Sequence, residues 1–146
     1  MNTRKKLSAS SEDYLEAIYN LAALYKVARC KDVAESLGVS RSSVTGAIKL
    51  LSDKGLVDYK PYGYIELTEK GGKEALAVAK RHTIIEDFFV KVLGVSEQEA
   101  KSAACKAEHA LGSAIIPKLL NFTEFYTIHS DVAAEFQKFC KPQRKN

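Results

Sequence analysis

The chain has 146 residues, of which 46% are hydrophobic and 27% charged, and its formal net charge is +4. These values predict an ordinary globular protein with one domain or two very small ones. No apolar run approaches the length of a membrane span and no apolar signal segment begins the chain, so we expect a cytoplasmic protein. The three cysteines form no Cys-x-x-Cys pair, which argues against a disulfide framework or a zinc knuckle.

The first predicted helix carries two carboxylates in its first turn. Ser10 or Ser11 can cap this helix, and apolar residues recur at helical spacing as far as about Lys26. Asp13 and Glu16 are three residues apart and therefore share a face. They either complement the helix dipole or belong to a site that another part of the chain completes.

Residues 27–54 have the pattern of a helix-turn-helix. A short apolar-faced helix stops at Gly38, and Ser40 caps a second helix whose buried stripe is Val44, Ile48 and Leu51. Small hydroxyls and cations open this second helix, where they can reach phosphates and base edges in a major groove. The predicted DNA contacts from this helix are Ser40, Arg41, Ser42, Ser43, Thr45 and Lys49. The alternative is a helical hairpin with a polar face.

A two-stranded hairpin follows and favours the DNA interpretation. Gly55 ends the second helix, residues 56–60 and 64–67 read as strands, and Pro61-Tyr62-Gly63 reads as the turn between them. A helix-turn-helix followed by such a hairpin is the winged-helix plan. Lys60 and Tyr62 lie near the hairpin tip, where a wing meets DNA.

Two further helices carry residue types that bind metals. The first runs from Thr68 to about Leu93 and places His82 and Glu86 four residues apart. The second runs from Ser96 to Leu111, and its Cys105, Glu108 and His109 have the i, i+3, i+4 spacing of one face. Thiolate, carboxylate and imidazole on one face predict a metal site. The alternative is a buried small cysteine, a solvated glutamate and a core histidine.

In order and spacing, the sequence resembles the diphtheria-toxin-repressor family of metal-dependent transcriptional repressors, and within it the short manganese-transport-regulator branch. The resemblance covers about residues 8–122. It rests on SEDYLEAIY at 11–19, DVA at 32–34, SVT at 43–45, GLV at 55–57, LTEKG at 67–71, Arg81-His82 and Cys105-x-x-Glu108-His109. It implies a mainly α fold, with a winged helix-turn-helix DNA-binding domain at 1–70 and a helical metal-binding and dimerisation domain at 71–146. A long helix at about 68–93 would link them.

The resemblance also implies a set of metal ligands. The set is Asp13, Glu16, His82, Cys105, Glu108 and His109, with Glu86 as a weaker candidate. Cys105 stands where the manganese branch has a glutamate, and Asp13 stands where the iron branch has a methionine. Lys101 replaces a histidine of the iron branch's ancillary site, and an ammonium is not a ligand. A second metal ion would therefore share the carboxylates of Asp13, Glu16 and Glu108.

A single thiolate among carboxylates and imidazoles favours Fe(II) slightly over Mn(II). The resemblance implies a repressor, not an enzyme, that binds a palindromic operator as a metal-loaded homodimer and controls metal-homeostasis genes. We expect the dimer surface on the Ser96–Leu111 helix and on Ile115, Ile116 and Leu119. Three alternatives remain: a winged-helix regulator that responds to a small organic ligand, a helical metalloenzyme, and a redox sensor that uses the Cys105 thiol.

Overall fold

The computed structural model describes residues 6–112 and 114–140, and within them the chain is mainly α-helical with one small sheet. The chain divides inside one helix, between Ala79 and Lys80, into two compact units. The elements are α1 Ala9–Tyr25, β1 Ala28–Arg29, α2 Cys30–Leu37, α3 Arg41–Asp53, β2 Val57–Lys60, β3 Tyr64–Leu67, α4 Glu69–Asp87, α5 Glu97–Ala110, α6 Ile116–Ile128 and α7 Ser130–Phe139. No helix of the described residues is long and apolar enough to cross a membrane.

The first helix begins earlier than its sequence suggests. The hydroxyl of Ser8 accepts a hydrogen bond from the backbone N–H of Ser11 at 3.1 Å, which makes Ser8 the cap. The expected caps at Ser10 and Ser11 are therefore wrong, because both residues already lie inside the first turn. The helix contributes Leu15 and Ile18, both fully buried, to the core of the first unit.

The helix-turn-helix forms as expected. Gly38 ends α2 with a positive φ of 65°, a conformation that glycine adopts without strain. Ser40 then caps α3, its hydroxyl accepting from the backbone N–H of Ser43 at 3.1 Å. Val33 from α2, with Val44 and Leu51 from α3, completes the buried contact between the two helices and α1.

The wing has one strand more than the predicted hairpin. Strands β2 and β3 pair antiparallel with Tyr59 opposite Ile65, and β1 adds to the other edge of β3 with Arg29 opposite Tyr64. A strand of two residues is too short to show a periodicity, which is why the sequence did not predict β1. The guanidinium of Arg29 donates to the hydroxyl of Tyr64 at 3.1 Å.

The predicted long helix is found, with a change of geometry near its end. Thr68 caps α4, and its hydroxyl accepts from the backbone N–H of Gly71 at 3.0 Å. After Asp87 the helix widens into a π-helical turn, Phe88–Val92, before Gly94 ends it with a positive φ of 70°. Backbone contact explains the glycine in the first turn, since a Cβ on Gly71 would lie 1.8 Å from the carbonyl oxygen of Leu56.

The second unit has its own small core. Ile85 of α4, Ala104 of α5 and Ile116 of α6 are buried together, and Leu119 packs against them. Of the residues expected to form a dimer surface, Ile116 is taken up by this core, whereas Ile115 is 44% exposed. Helix α7 packs on α6 through the ring of Phe136, which meets the ring of Tyr126 edge-on at 6.0 Å.

We expect Gly71→Ala to lower the free energy of unfolding of the first unit by about 1–3 kcal/mol, because the new methyl group collides with the Leu56 backbone. Gly72→Ala is the matched control, since its Cβ meets nothing within 4 Å. It should leave stability unchanged or raise it by up to about 1 kcal/mol. Urea unfolding measures both values, and equal stabilities for the two variants would contradict the close approach.

Candidate metal centre

The centre is built around Glu108, in the last turn of α5. This helix starts at a reciprocal cap, in which Ser96 accepts from the backbone N–H of Glu99 at 3.3 Å and donates to its carboxylate at 2.8 Å. The cap sets the residue at which α5 begins. Ala100 and Ala104 of this helix are fully buried, and the Glu108 side chain has no exposed area.

Two imidazoles flank the buried carboxylate. Nδ1 of His82 lies 3.2 Å from Oε2 of Glu108, and Nε2 of His109 lies 3.6 Å from Oε1. Among the described residues, neither oxygen of Glu108 accepts a hydrogen bond of good geometry. An ionised carboxylate removed from water is strongly disfavoured unless a positive charge compensates it. A carboxylate at this position is therefore stabilised by a nearby cation, either a protonated imidazole or a metal ion.

His82 faces a carboxylate from each side of its ring. Nδ1 approaches Glu108, while Nε2 lies 3.2 Å from Oε2 of Glu86 one turn along α4. A neutral imidazole has one donor and one acceptor nitrogen, so it can donate to only one of the two carboxylates. Metal-binding histidines commonly donate their second ring N–H to a carboxylate, which fixes the tautomer. Glu86 is placed to accept that hydrogen bond and leaves Nδ1 directed at Glu108.

The donor chemistry fits a divalent first-row transition metal. Two imidazoles and one carboxylate converge within the second unit, and such N and O donors suit Mn(II), Fe(II), Co(II) and Zn(II). Cys105 differs from the other predicted ligands of α5, because its thiol is exposed whereas Glu108 is buried. Asp13 and Glu16 lie on α1 in the first unit, and both are partly buried.

The predicted DNA contacts of α3 lie on its exposed side. The hydroxyls of Ser42 and Ser43 lie 3.0 and 2.9 Å from that of Ser40, so all three belong to the cap at the start of the helix. Thr45 donates to the carbonyl oxygen of Arg41 at 3.0 Å. The cationic side chains of Arg41 and Lys49 are exposed. This face therefore presents positive charge beside hydroxyls that are held in place.

At the wing tip, the ring of Tyr62 is 95% exposed, and its backbone has a positive φ of 68°. A non-glycine residue rarely adopts this conformation, which turns the side chain outward at the tip. Lys60 lies 3.8 Å from Glu66 across the hairpin, and both side chains remain about half exposed. The wing tip thus carries an exposed aromatic ring next to a cation.

Two family models match the chain in succession. Residues 6–65 match the N-terminal DNA-binding domain of iron-dependent repressors, and residues 68–134 match the metal-binding and dimerisation domain of the same proteins. The chain belongs to the iron-dependent repressor family. The boundary between the two matched domains falls just before α4, and the residues around Glu108 lie in the second.

Several HTH-type transcriptional regulators have sequences similar to this chain. An uncharacterised HTH-type transcriptional regulator of Methanocaldococcus jannaschii is 40% identical over 119 residues, which cover 81% of this chain and 95% of the relative. The HTH-type transcriptional regulator MntR of Bacillus subtilis is 32% identical over 117 residues, which cover 80% and 82%.

Two solved structures have a fold similar to that of this chain. The crystal structure of T. acidophilum IdeR matches with a TM-score of 0.71 at 26% identity over 80% of this chain. The manganese regulator SloR matches with a TM-score of 0.69 at 29% identity over 79%. The chain spans about half the length of these two structures, 54% in each case.

We expect Glu86→Gln to weaken Mn(II) binding by about 10–100-fold, because the amide no longer anchors Nε2 of His82 as a carboxylate does. Isothermal titration calorimetry at fixed pH measures the change. Asp87→Asn is the control, since Asp87 pairs with Lys91 at 2.9 Å on the exposed side of the helix. Equal affinities for Glu86→Gln and the wild type would remove Glu86 from the centre.

Proposed function

We propose that this protein is a metal-responsive transcriptional repressor, which binds its operator when a divalent metal ion occupies the centre at Glu108. One observation carries the proposal: a fully buried carboxylate stands between two imidazoles without hydrogen bonds of good geometry. That centre occurs in a chain whose first unit is a helix-turn-helix with a wing. Since its partner is DNA, we place the protein in the cytoplasm.

We propose that the metal ion is bound by the ligands that the sequence predicts. His82, Glu108 and His109 supply donors from the second unit, and we assign Asp13 and Glu16 as the donors from α1. In this proposal a bound divalent cation supplies positive charge to these carboxylates, and it thereby offsets the repulsion between them. Metal binding and DNA binding then reinforce each other, typically by about 1–3 kcal/mol.

The choice of metal rests on Cys105. We propose Fe(II) with a slight preference over Mn(II), because a thiolate is a softer ligand than a carboxylate. The exposed position of Cys105 makes this preference small. A second ion would share the carboxylates of Asp13, Glu16 and Glu108. Lys101, exposed on the same helix, offers no ligand for a separate ancillary site.

We propose that α3 enters the major groove and that the wing tip contacts the backbone beside it. In this proposal, phosphates or base edges are contacted by the cations Arg41, Lys49 and Lys60. The exposed ring of Tyr62 contacts DNA at the wing tip. The hydroxyls of Ser40, Ser42, Ser43 and Thr45 complete this surface at the start of α3. In a twofold dimer, two such helices would reach successive major grooves roughly 34–36 Å apart on a palindromic operator.

We propose that the repressor is a homodimer whose interface includes an exposed apolar face of α6 and α7. The large exposed side chains of this face are Phe122, Phe125, Ile128, Val132 and Phe139. Soluble proteins rarely expose so many large apolar groups on adjoining helices unless a partner covers them. A second copy is the fitting occupant, because most of this surface lies in the segment that matches the family's dimerisation domain.

The proposed function predicts that DNA binding requires metal. Fluorescence anisotropy with the protein's own upstream DNA, at fixed salt, compares metal-free protein with titrations of anaerobic Fe(II), Mn(II) and Zn(II). We expect the metal-loaded protein to bind about 5- to 150-fold more tightly, which corresponds to a coupling free energy of about 1–3 kcal/mol. Tight binding by the metal-free protein, unchanged by any metal, would contradict the proposal and favour a regulator that responds to an organic ligand.

The dimer proposal predicts that Ile128→Glu weakens self-association by more than about 10-fold, because a charge would be buried in an apolar interface. Sedimentation equilibrium measures the dimer dissociation constant. Leu24→Glu is the matched control, since Leu24 is 74% exposed on α1 and Ile128 is 77% exposed on α6. A dimer that tolerates Ile128→Glu as well as Leu24→Glu would place the interface elsewhere.

A further inference from the structure

A groove runs beside the helix that we propose enters DNA. It has a volume of about 220 Å³ and lies between α3 and β2. Its lining residues are Thr45, Ile48, Lys49, Ser52, Asp53 and Tyr59. Thr45 and Lys49 are two of the proposed DNA contacts. Tyr59 lies on the wing strand β2, and the sequence analysis did not predict that it would lie beside α3.

The side chain of Tyr59 is anchored at its base and open at its end. Tyr59 pairs directly with Ile65 of β3, so the two side chains leave the same face of the sheet. Ile65 is buried, whereas Tyr59 is 54% exposed. The ring therefore starts at the edge of the core and lines the groove together with residues of α3. Its hydroxyl ends near the wing turn, where a Cβ built on Gly63 would lie 3.9 Å away.

The thiol of Cys30 contacts the hydroxyl of Tyr59. Sγ of Cys30, at the start of α2, donates to the phenol oxygen at 3.8 Å. The phenol oxygen thus accepts one hydrogen bond within the protein. Its O–H group can donate a second hydrogen bond to an acceptor on a bound partner. The ordinary pKa of a tyrosine phenol is about 10, so this group keeps its proton at neutral pH.

The groove favours a phosphate at one end. Lys49 contributes positive charge beside Tyr59, whereas Asp53, one helical turn later, repels an anion. An anion would therefore lie toward the Thr45 and Lys49 end, which is the end nearer the start of the recognition helix. Neutral hydroxyl donors next to a lysine are typical of contacts to the DNA backbone, which position the protein without reading sequence.

We propose that Tyr59 contacts the DNA backbone, its phenol donating a hydrogen bond to a phosphate oxygen beside Lys49, and that Cys30 positions the phenol for this contact. The proposal rests on the proposed DNA-binding function. It adds to the DNA-contact surface a residue of the wing strand and a positioning residue at the start of the first helix of the helix-turn-helix. The contact involves the DNA backbone, so it contributes affinity on every sequence.

The test measures DNA affinity of the full-length protein with saturating Mn(II), on its own upstream DNA and on an unrelated duplex of equal length. Tyr59→Phe removes only the hydroxyl, and we expect roughly three- to tenfold weaker binding to both duplexes. Because the phenol is neutral, the slope of affinity against salt concentration should stay unchanged. Lys49→Ala should instead reduce that slope by about one. Tyr25→Phe, an exposed tyrosine on α1, is the control and should bind like the wild type.

Variants of Cys30 separate positioning from general structure. Cys30→Ala should lose about as much affinity as Tyr59→Phe, whereas Cys30→Ser keeps a donor and should restore most of it. In the Tyr59→Phe background, Cys30→Ala should cost nothing further, because the contact it serves is already absent. Tyr59→Phe binding equal to the wild type, or equal losses for Cys30→Ala and Cys30→Ser, would overturn this contact. A wild-type protein that binds neither duplex would overturn the proposed function itself.

Discussion

The buried carboxylate of Glu108 is the constraint on which the account of this protein depends. Its side chain has no exposed area, and its oxygens face two imidazoles at 3.2 and 3.6 Å. A buried negative charge is tolerated only with a positive partner close by. The carboxylate faces the imidazole nitrogens of His82 and His109, which are atoms that bind transition metals. The geometry that makes the buried charge unfavourable therefore also makes this site suitable for a divalent metal ion.

Local features of the chain place this carboxylate and its neighbours. The cap at Ser96 fixes the start of α5, and alanines at 100 and 104 let that helix pack closely, so Glu108 is carried into the interior. On α4, the four-residue spacing of His82 and Glu86 lets one carboxylate hold the ring while the other faces it from α5. The part of the centre that lies in the second unit is therefore a property of two helices, α4 and α5.

Much of this could be read from the sequence because the signals are local. The glycine at 38, the serine cap at 40 and the hairpin turn at 61–63 each act within a few residues, and the structure has all three features. The spacing of ligand-type residues on α4 and α5 is likewise a one-helix property. Features that depend on packing between elements were missed or misplaced. Ile116, which the sequence analysis places on a dimer surface, instead packs with Ile85 and Ala104 in the core of the second unit. The pairing of Cys30 with Tyr59 joins residues 29 positions apart that no periodicity connects.

The central claim is that a divalent cation compensates the charge of Glu108. The most direct measurement is the thermal unfolding midpoint with and without Mn(II), for the wild type, Glu108→Gln and the control Glu97→Gln, whose carboxylate is exposed on the same helix. Mn(II) at about 100 times its dissociation constant should stabilise the wild type and the control by about 2.7 kcal/mol. It should leave Glu108→Gln nearly unchanged. An equal rise in the midpoint for Glu108→Gln would show that the buried carboxylate does not hold the metal, and would contradict the account.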